Sequence, residues 1–492
     1  MADDAGACSA FARCEEFAPL KRRGPMRPER LQSARTRLSG VLLARLFQLG
    51  DLSALLAVSA ATAFFVPAAG AEPLLYSAPL IAFLTLLGSG AYRMKIGESL
   101  FKRLGRVLLA AVSGLGGGVV VLSLAAPASA SSHLEAVWMA LVVATLSALQ
   151  LGWWAILGSL RRRGLLTPNV IVVGATPAAE HLVRHALRSR ELNVLGVFDD
   201  RRSRIDPAVL GVPVLGRTDD LLSHRILPYV DRIIVAVPRA SEARIAQLLQ
   251  RLAPIPNPIA LLMEDDDNHA AAVSRVADFA LVQISGPPRR SGYQIAKRVL
   301  DLVLGSLLLL IFMPLMCLVA LAIKLDSPGP VFFRQRRHGY LNEEIVVWKF
   351  RSMRAEAADP TARRQVTAGD ERVTRIGRFI RKTSIDELPQ LFNVLAGEMS
   401  LVGPRPHAIG MLAGGAEASQ LVATYAHRHR MKPGLTGWAA VNGSRGPVDT
   451  PEAVQRRVAL DLEYVERQSI WVDLAIILKT APCLLGDAAA VR

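Results

Sequence analysis

The sequence predicts three modules in a row. A membrane α-helical bundle of four transmembrane helices comes first, then an α/β Rossmann-like domain, then a mainly α module entered through a re-entrant membrane helix. Three observations carry this reading. Mean hydropathy is positive, +0.30, although the 492-residue chain has a formal net charge of +16. Apolar stretches of roughly 20 residues, long enough to cross a bilayer, recur in the first third. Strand-like and helix-like stretches then alternate before a basic C-terminal region.

Apolar residues make up 51% of the chain and charged residues 20%. Soluble basic proteins are rarely this apolar, so the two kinds of residue must be segregated. Segregation of this sort suits basic cytoplasmic loops beside membrane spans, or contact with anionic headgroups. Nucleic acid is the rival partner for such charge, but aromatics are only 6% and no nucleic-acid-binding motif occurs, so none is expected. Cys8, Cys14, Cys317 and Cys483 are scattered, which indicates neither a disulfide framework nor a zinc site.

Residues 1–40 are polar and basic and read as a cytoplasmic tail, not a secretory signal, because the apolar run begins too late. Within 41–163 the predicted spans are 44–66, 73–92, 106–126 and 136–158. Arg93, Lys95, Lys102, Arg103 and Arg106 lie between the second and third, and Arg161, Arg162 and Arg163 follow the fourth. The connections 67–72 and 127–135 carry no Lys or Arg. By the positive-inside rule both ends of the bundle are cytoplasmic. Asp51 is the one acid well inside a span; a functional role and an interfacial position are both open.

Residues 168–285 form the second module. Asn169–Gly174 is a buried-strand run, followed by a helix from Ala178 to Arg188 and a strand Val194–Phe198. Further strands are expected at Val212–Leu215, Arg232–Val237 and Pro258–Met263, a pattern that predicts a parallel doubly wound sheet. A dinucleotide loop wants G-x-G-x-x-G. Gly174-Ala175-Thr176-Pro177-Ala178-Ala179 keeps only the first glycine, and Pro177 removes a backbone donor. A structural or regulatory domain of Rossmann type is predicted instead. Glu264, Asp265, Asp266 and Asp267 read as a solvated loop, not a metal site.

The third module spans 290–492. Its apolar run 299–323 has Pro314 near the middle. A complete crossing would place the basic region beyond it outside the cell, so a helix that enters one leaflet and returns is predicted. The exit, Asp326 to Tyr340, sets Phe332 and Phe333 beside Arg334, Arg336 and Arg337, which suits a membrane interface and an anionic lipid headgroup.

Further on, Thr383-Ser384-Ile385-Asp386-Glu387-Leu388-Pro389-Gln390 follows the cations Arg372, Arg375, Arg378, Arg381 and Lys382. A carboxylate pair behind arginines suits chemistry on phosphate: one acid to attack phosphorus or hold a metal, cations to hold oxygens. Ser384-Ile385-Asp386-Glu387 also fits a helix capping box, which Pro389 weakens by falling fifth in such a helix. Both explanations stand on spacing alone.

The C-terminal module resembles the bacterial sugar transferases, the monotopic polyprenol-phosphate phosphoglycosyl transferases. The matching residues are Lys297-Arg298-x-x-Asp301, Ser327 to Gln335, Trp348 to Met353, Thr374 to Gln390, Met399 to Pro406 and Lys432 to Gly443, in order over roughly residues 290–482. Four spans and a Rossmann-like domain ahead of this module resemble the long subgroup, the polyprenyl-phosphate hexose-1-phosphate transferases. Ala440 stands where the family usually has glutamine.

The resemblance implies a mainly α catalytic module that transfers hexose-1-phosphate from a UDP-sugar to polyprenyl phosphate, as undecaprenyl phosphate, at the cytoplasmic face of a bacterial inner membrane. That step would start exopolysaccharide, capsule or O-antigen assembly. Asp386 would attack the β-phosphorus and release UMP, and Glu387 would hold Mg²⁺ or Mn²⁺. Arg334, Arg375, Arg378, Arg381 and Arg405 are the phosphate candidates. Asp461 matches a further family acid, either at the substrate or paired with Arg456 or Arg457. A homodimer through the Rossmann-like domain is also expected. The rival functions are a glycosyltransferase releasing UDP and a silent membrane scaffold or nucleotide-sugar sensor.

Overall fold

In a computed structural model the chain divides into two units: one is Arg37–Thr167, and the other holds Pro168–Arg188 with Leu192–Arg492, so the second and third predicted modules share a unit. The structure describes residues 40–65, 72–92, 99–125, 132–189, 192–201, 208–222, 224–237, 242–262, 273–276, 279–286, 291–354, 370–446, 448 and 450–486. The predicted tail and the acids 264–267 lie outside these residues.

The first unit is the bundle α1 (Gly40–Phe65), α2 (Glu72–Gly88), α3 (Leu100–Ala125) and α4 (Ser132–Arg162). With 17 residues, α2 stops at Gly88, short of the predicted 92, and is at the lower end of spanning length. Small residues let α2 and α3 approach closely. A Cβ on Gly114 would meet the Ala78 carbonyl and Ala82, and one on Gly118 would meet Ala78. Asp51 is fully buried and faces the bundle interior. Its carboxylate accepts from Tyr92 Oη (2.9 Å), Gln150 Nε2 (2.7 Å) and Trp153 Nε1 (2.9 Å). The carboxylate thus ties helices together, as an acid inside a span is stable only when its oxygens are satisfied.

In the second unit, strands β1 (Asn169–Val173), β2 (Asn193–Phe198), β3 (Ala208–Val209), β4 (Val212–Gly216), β5 (Arg232–Val235), β6 (Ile259–Leu262), β7 (Val273–Val276) and β8 (Phe279–Ser285) form one sheet. Their order is β3-β4-β2-β1-β5-β6-β8-β7. The centre is parallel, as expected, because its strands are buried on both faces and read as continuous Val/Ile runs. β3 and the β7–β8 pair add antiparallel edges that were not predicted; at four residues with Arg275 inside, β7 carries too little periodicity. Helix α5 (Pro177–Ser189) packs its Leu182, Val183 and Ala186 against this sheet.

The catalytic module hangs on α6 (Ser291–Asp326), one helix of 36 residues with Pro314 inside it. Three charges near its start each hold a different element. Lys297 Nζ pairs with Asp473 (2.8 Å), Arg298 donates to the Val394 and Leu395 carbonyls (2.8 Å each), and Asp301 accepts from Ser400 Oγ and Leu401 N (2.9 Å each). Further along, Met316, Val319 and Ile323 pack with Phe350 and Ile380, and Asp326 accepts from Ile376 N (3.2 Å). The opposite face is apolar and bare, with Val303, Leu310, Leu318 and Leu325 all exposed.

β9 (Phe332–His338) and β10 (Glu344–Phe350) form an antiparallel hairpin. Alternation sorts its cations. Arg337 and Lys349 share a face with buried Gln335, Ile345 and Val347, while Arg334 and Arg336 lie on the other. Helix α7 (Arg375–Lys382) is capped by Thr374, whose hydroxyl accepts from Gly377 N at 2.9 Å.

Candidate active site

Asp386 and Glu387 lie in a single 3-10 turn, Ile385–Glu387, between α7 and α8 (Gln390–Ala396). Pro389 is the N-cap of α8, where its fixed φ suits the helix start. The capping-box alternative is absent: Ser384 has a left-handed φ of +56° and makes no side-chain cap. A non-glycine residue holds that conformation at a cost of about 1–3 kcal/mol, so its neighbours must fix it. Arg445 does so, donating Nη2 to Ser384 Oγ at 2.7 Å. Behind the dyad, Asn393 clamps α8 to β10, accepting from Trp348 N (3.1 Å) and donating to the Val346 carbonyl (2.7 Å).

The two acids are set apart by their partners. Glu387 accepts Lys349 Nζ at 2.7 Å on Oε1 and is gripped by both terminal nitrogens of Arg405, one at 3.0 Å. A bidentate, charge-assisted grip of this kind is strong and directional. Burial raises the Glu387 carboxyl, but Arg405 and then Lys349 overrule it and hold it well below the ordinary glutamate range. Among the described residues no donor hydrogen-bonds the half-buried Asp386 side chain. Burial pushes its carboxyl up, against the pull of Lys349, and Glu387 pushes the same way. One acid is engaged and the other has open oxygens.

Arg337 adds a further cation from β9. It donates to the Pro406 carbonyl and to Gln335 Oε1, and burial, with Arg405 next, pushes it down to about 10. The segment carrying Arg405 is pinned to the strand Gly434–Thr436, with Gly403 N on the Thr436 carbonyl (2.9 Å) and Gly434 N on the Pro404 carbonyl (3.0 Å). Only glycine fits there: a Cβ on Gly434 would collide with Gly403 N. Arg428, 1% exposed, reaches the Arg405 carbonyl at 2.7 Å and pairs with Asp461 at 2.6 Å.

Of the predicted residues, the structure brings Asp386, Glu387 and Arg405 together, and Arg381 acts electrostatically on Asp386. Arg375 and Arg378 are exposed on α7. Arg334 stacks over Trp348 at 4.4 Å, on the hairpin face away from Lys349, and is outside this cluster. Asp461, expected at the substrate or paired with Arg456 or Arg457, is 2% exposed and pairs with Arg428 at 2.6 Å, with Arg457 acting on it electrostatically. Lys349 was read only as part of a matching run and Arg337 only as part of the basic exit suited to a lipid headgroup, neither as a partner of the dyad. Alternation along Ile345, Val347 and Lys349 was the available signal, since it puts a lysine on the buried face.

Next to Arg445 lies a pocket of about 290 Å³ lined by Ser444, Arg445, Glu452, Arg456 and Arg457. It adjoins the dyad through the Arg445–Ser384 bond. Cations outnumber the two carboxylates at this site, so it is poised to receive an anion.

For a divalent metal, no three His, Cys, Asp or Glu side chains converge among the described residues. Magnesium commonly takes only one or two protein carboxylates and completes its shell with water and phosphate oxygens, and the dyad supplies that number. Glu387 would share its lone pairs with Lys349 and Arg405, which a carboxylate with about four acceptor sites allows. The donor set therefore fits an ion brought in with a diphosphate.

Lys349→Met is expected to reduce kcat by about 10²-fold, the usual cost of one preorganised charge donor. It should also move the acid limb of the pH–rate profile. A carboxylate that attacks must be ionised, and Lys349 favours the ionised form of Asp386, so with Asp386 in that role removal of the lysine should shift the limb to higher pH. An unshifted limb would place Lys349 outside the reacting centre.

An unencumbered carboxylate amid cations, in a module carrying an exposed apolar helix, defines a membrane transferase of phosphorylated groups. Comparison with known proteins agrees. A family model described as bacterial sugar transferase matches residues 292–487, and one described as CoA-binding domain matches 88–262. The undecaprenyl-phosphate glucose phosphotransferase of Komagataeibacter xylinus is 39% identical over 366 residues, 73% of this chain and 67% of that one. The UDP-glucose:undecaprenyl-phosphate glucose-1-phosphate transferases of Xanthomonas campestris pv. campestris (38%, 68% of this chain and 70% of the relative) and Escherichia coli K12 (37%, 66% and 69%) are similar too. The chain belongs to the bacterial sugar transferase family, in the long subgroup of polyprenyl-phosphate hexose-1-phosphate transferases.

Proposed function

We propose that this protein transfers hexose-1-phosphate from a UDP-sugar, UDP-glucose first among the candidates, to undecaprenyl phosphate, with Asp386 as the nucleophile. The observation that carries the reading is the division of labour in the dyad: Glu387 is engaged by Lys349 and Arg405, while Asp386 keeps open oxygens beside the same cations. In the first step an Asp386 oxygen attacks the β-phosphorus. The bond from that phosphorus to the bridging oxygen breaks, and the bridging oxygen leaves on UMP. An acyl-phosphate to the sugar phosphate remains. In the second step an oxygen of the lipid phosphate attacks the same phosphorus and Asp386 leaves, giving a lipid diphosphate sugar. Lys349, Arg337 and Arg405 counter the charge that spreads over the phosphoryl oxygens. Glu387 would hold a magnesium ion, whose charge would offset that on the departing nucleotide. The pocket beside Arg445 is suited to the nucleotide end of the donor.

Incubation of the purified protein with undecaprenyl phosphate and a panel of UDP-sugars tests the reaction. UMP formation with one sugar is expected. UDP formation would mean sugar transfer without phosphate, and no nucleotide release with any sugar would return the chain to a scaffold or sensor role.

The reading includes a re-entrant α6 and a cytoplasmic site at the inner membrane. Asp301 and Asp326 both bind backbone amides of the same module, at Leu401 and Ile376. A straight helix between them would be about 38 Å long, more than the hydrocarbon core of about 30 Å. A helix that crossed fully would part those anchors to opposite sides of the membrane. A C-terminal reporter is therefore expected on the cytoplasmic side, and an external one would refute both the topology and access to cytoplasmic UDP-sugars.

A further inference from the structure

The Rossmann-like domain offers no phosphate cradle at its first loop. The Asp199 carboxylate, at the end of β2, accepts from Ala175 N at 2.7 Å and from Arg201 N at 2.8 Å. It occupies the place where a pyrophosphate would be met by backbone amides, and Pro177 at the start of α5 has no amide to give. The residues present therefore do not fit a dinucleotide or coenzyme phosphate there, and the domain needs another role.

Two elements of the catalytic module rest on this domain: one carries Lys349 and Arg337, and the other holds the Arg405 carbonyl through Arg428. The first is the β9–β10 hairpin. Its tip, the turn Tyr340–Asn342, packs against the turn Leu227–Tyr229 of the Rossmann-like domain. Leu341 and Asn342 both have left-handed φ, +51° and +62°, a conformation that non-glycine residues keep only where surroundings hold them. The body of the same hairpin presents Arg337 and Lys349 to the dyad.

The second element is the turn Tyr425–Arg430. His427 meets the Ala253 carbonyl, and Arg430 donates to the Pro256 carbonyl (3.2 Å) and to Ser285 Oγ (2.8 Å), all in the Rossmann-like domain. Between them Arg428 points the other way, to the Arg405 carbonyl and Asp461. His429 joins the two elements by meeting Asn342. Lys349 thus belongs to one element footed on this surface, and Arg405 is held by the other through the Arg428 bond to its carbonyl.

We propose that the Rossmann-like domain is a positioning platform for the active site, seating the hairpin tip and the turn 425–430 so that Lys349 and Arg405 converge on Glu387, with Arg430 and His427 as positioning residues. The inference rests on reading that cluster as the reacting centre. Loosening the platform lets Lys349 and Arg405 drift from the dyad without removing either.

The test uses the full chain in detergent, comparing wild type with His427→Ala/Arg430→Ala and with Arg430→Lys. With UDP-glucose, the double variant should lose about tenfold in kcat with little change in KM. Arg430→Lys, which still reaches one acceptor, should recover part of that loss. Hydrogen exchange in peptides spanning 344–350 and 400–406 reads the positioning without turnover and should be faster in the double variant. Unchanged exchange in those peptides overturns the platform, whatever the activity. Wild type that releases no UMP from any UDP-sugar would defeat the proposed reaction instead, leaving exchange to decide the platform.

Discussion

Asp386→Asn is expected to abolish turnover, with UMP release falling on the order of 10⁴-fold or more, the scale on which a nucleophile's loss is felt. That is about 5.5 kcal/mol of transition-state stabilisation. The substitution keeps size and shape but replaces a carboxylate by a poor nucleophile. No described donor bonds the Asp386 side chain, so little else should change. Glu387 retains Lys349 and Arg405, and the unfolding midpoint should stay close to wild type. The decisive observation is the intermediate. Wild type incubated with labelled UDP-sugar and no lipid acceptor should carry one phosphosugar on the peptide containing Asp386, and the variant none. Normal UMP release by the variant would shift the nucleophile elsewhere. Glu387→Gln makes the complementary case: it should leave Lys349 and Arg405 without a counter-charge and lower activity while label still forms slowly on Asp386.

Asp461→Ala should be the most destabilising substitution near the site, by about 3–5 kcal/mol, the cost of leaving one partner of a buried ion pair uncompensated. Both members are at most 2% exposed, so water cannot replace the lost carboxylate. Arg428 would then relax from the Arg405 carbonyl, and kcat should fall with stability. Asp461→Asn keeps an acceptor but not the charge and should lie between. Thermal unfolding in detergent, read beside kcat and KM, checks this. A raised KM at unchanged stability would restore Asp461 as a substrate ligand. The sign of the pH dependence follows from Glu387. Its carboxyl is depressed, so its contribution to stability is complete above the unfolded value of about 4.3 and is lost as pH falls through the lower folded value. Mild acid should silence Asp386, whose carboxyl is raised, before it weakens the Glu387 cluster.

Much of this architecture was legible from local pattern. Spans of about 20 apolar residues, the alternation of Arg- and Lys-bearing connections, and the Val/Ile runs of β1, β2 and β5 each report on their own neighbourhood. The antiparallel β7–β8 edge escaped, because short strands with polar interruptions resemble loops. Arg334 and Arg337 also looked alike as members of one basic run. The pleat sends them to opposite faces, and only pairing with β10 says which face meets the dyad.

The dyad itself shows where the line falls. Sequence alone determined that two adjacent acids follow a cationic helix and match the family's order of motifs. Tertiary structure decided which acid is held and which is open, because their partners come from afar: Lys349 lies 38 residues before Glu387 and Arg405 18 after it. Tertiary structure also set Asp461 against Arg428, 33 residues away, and laid the hairpin tip Tyr340–Asn342 on the turn Leu227–Tyr229 of the Rossmann-like domain. The physical reason is common to all of these. Hydropathy and turn chemistry act between near neighbours, whereas charge partners are chosen by which elements packing brings within about 3 Å, and that distance is set only when the chain has folded.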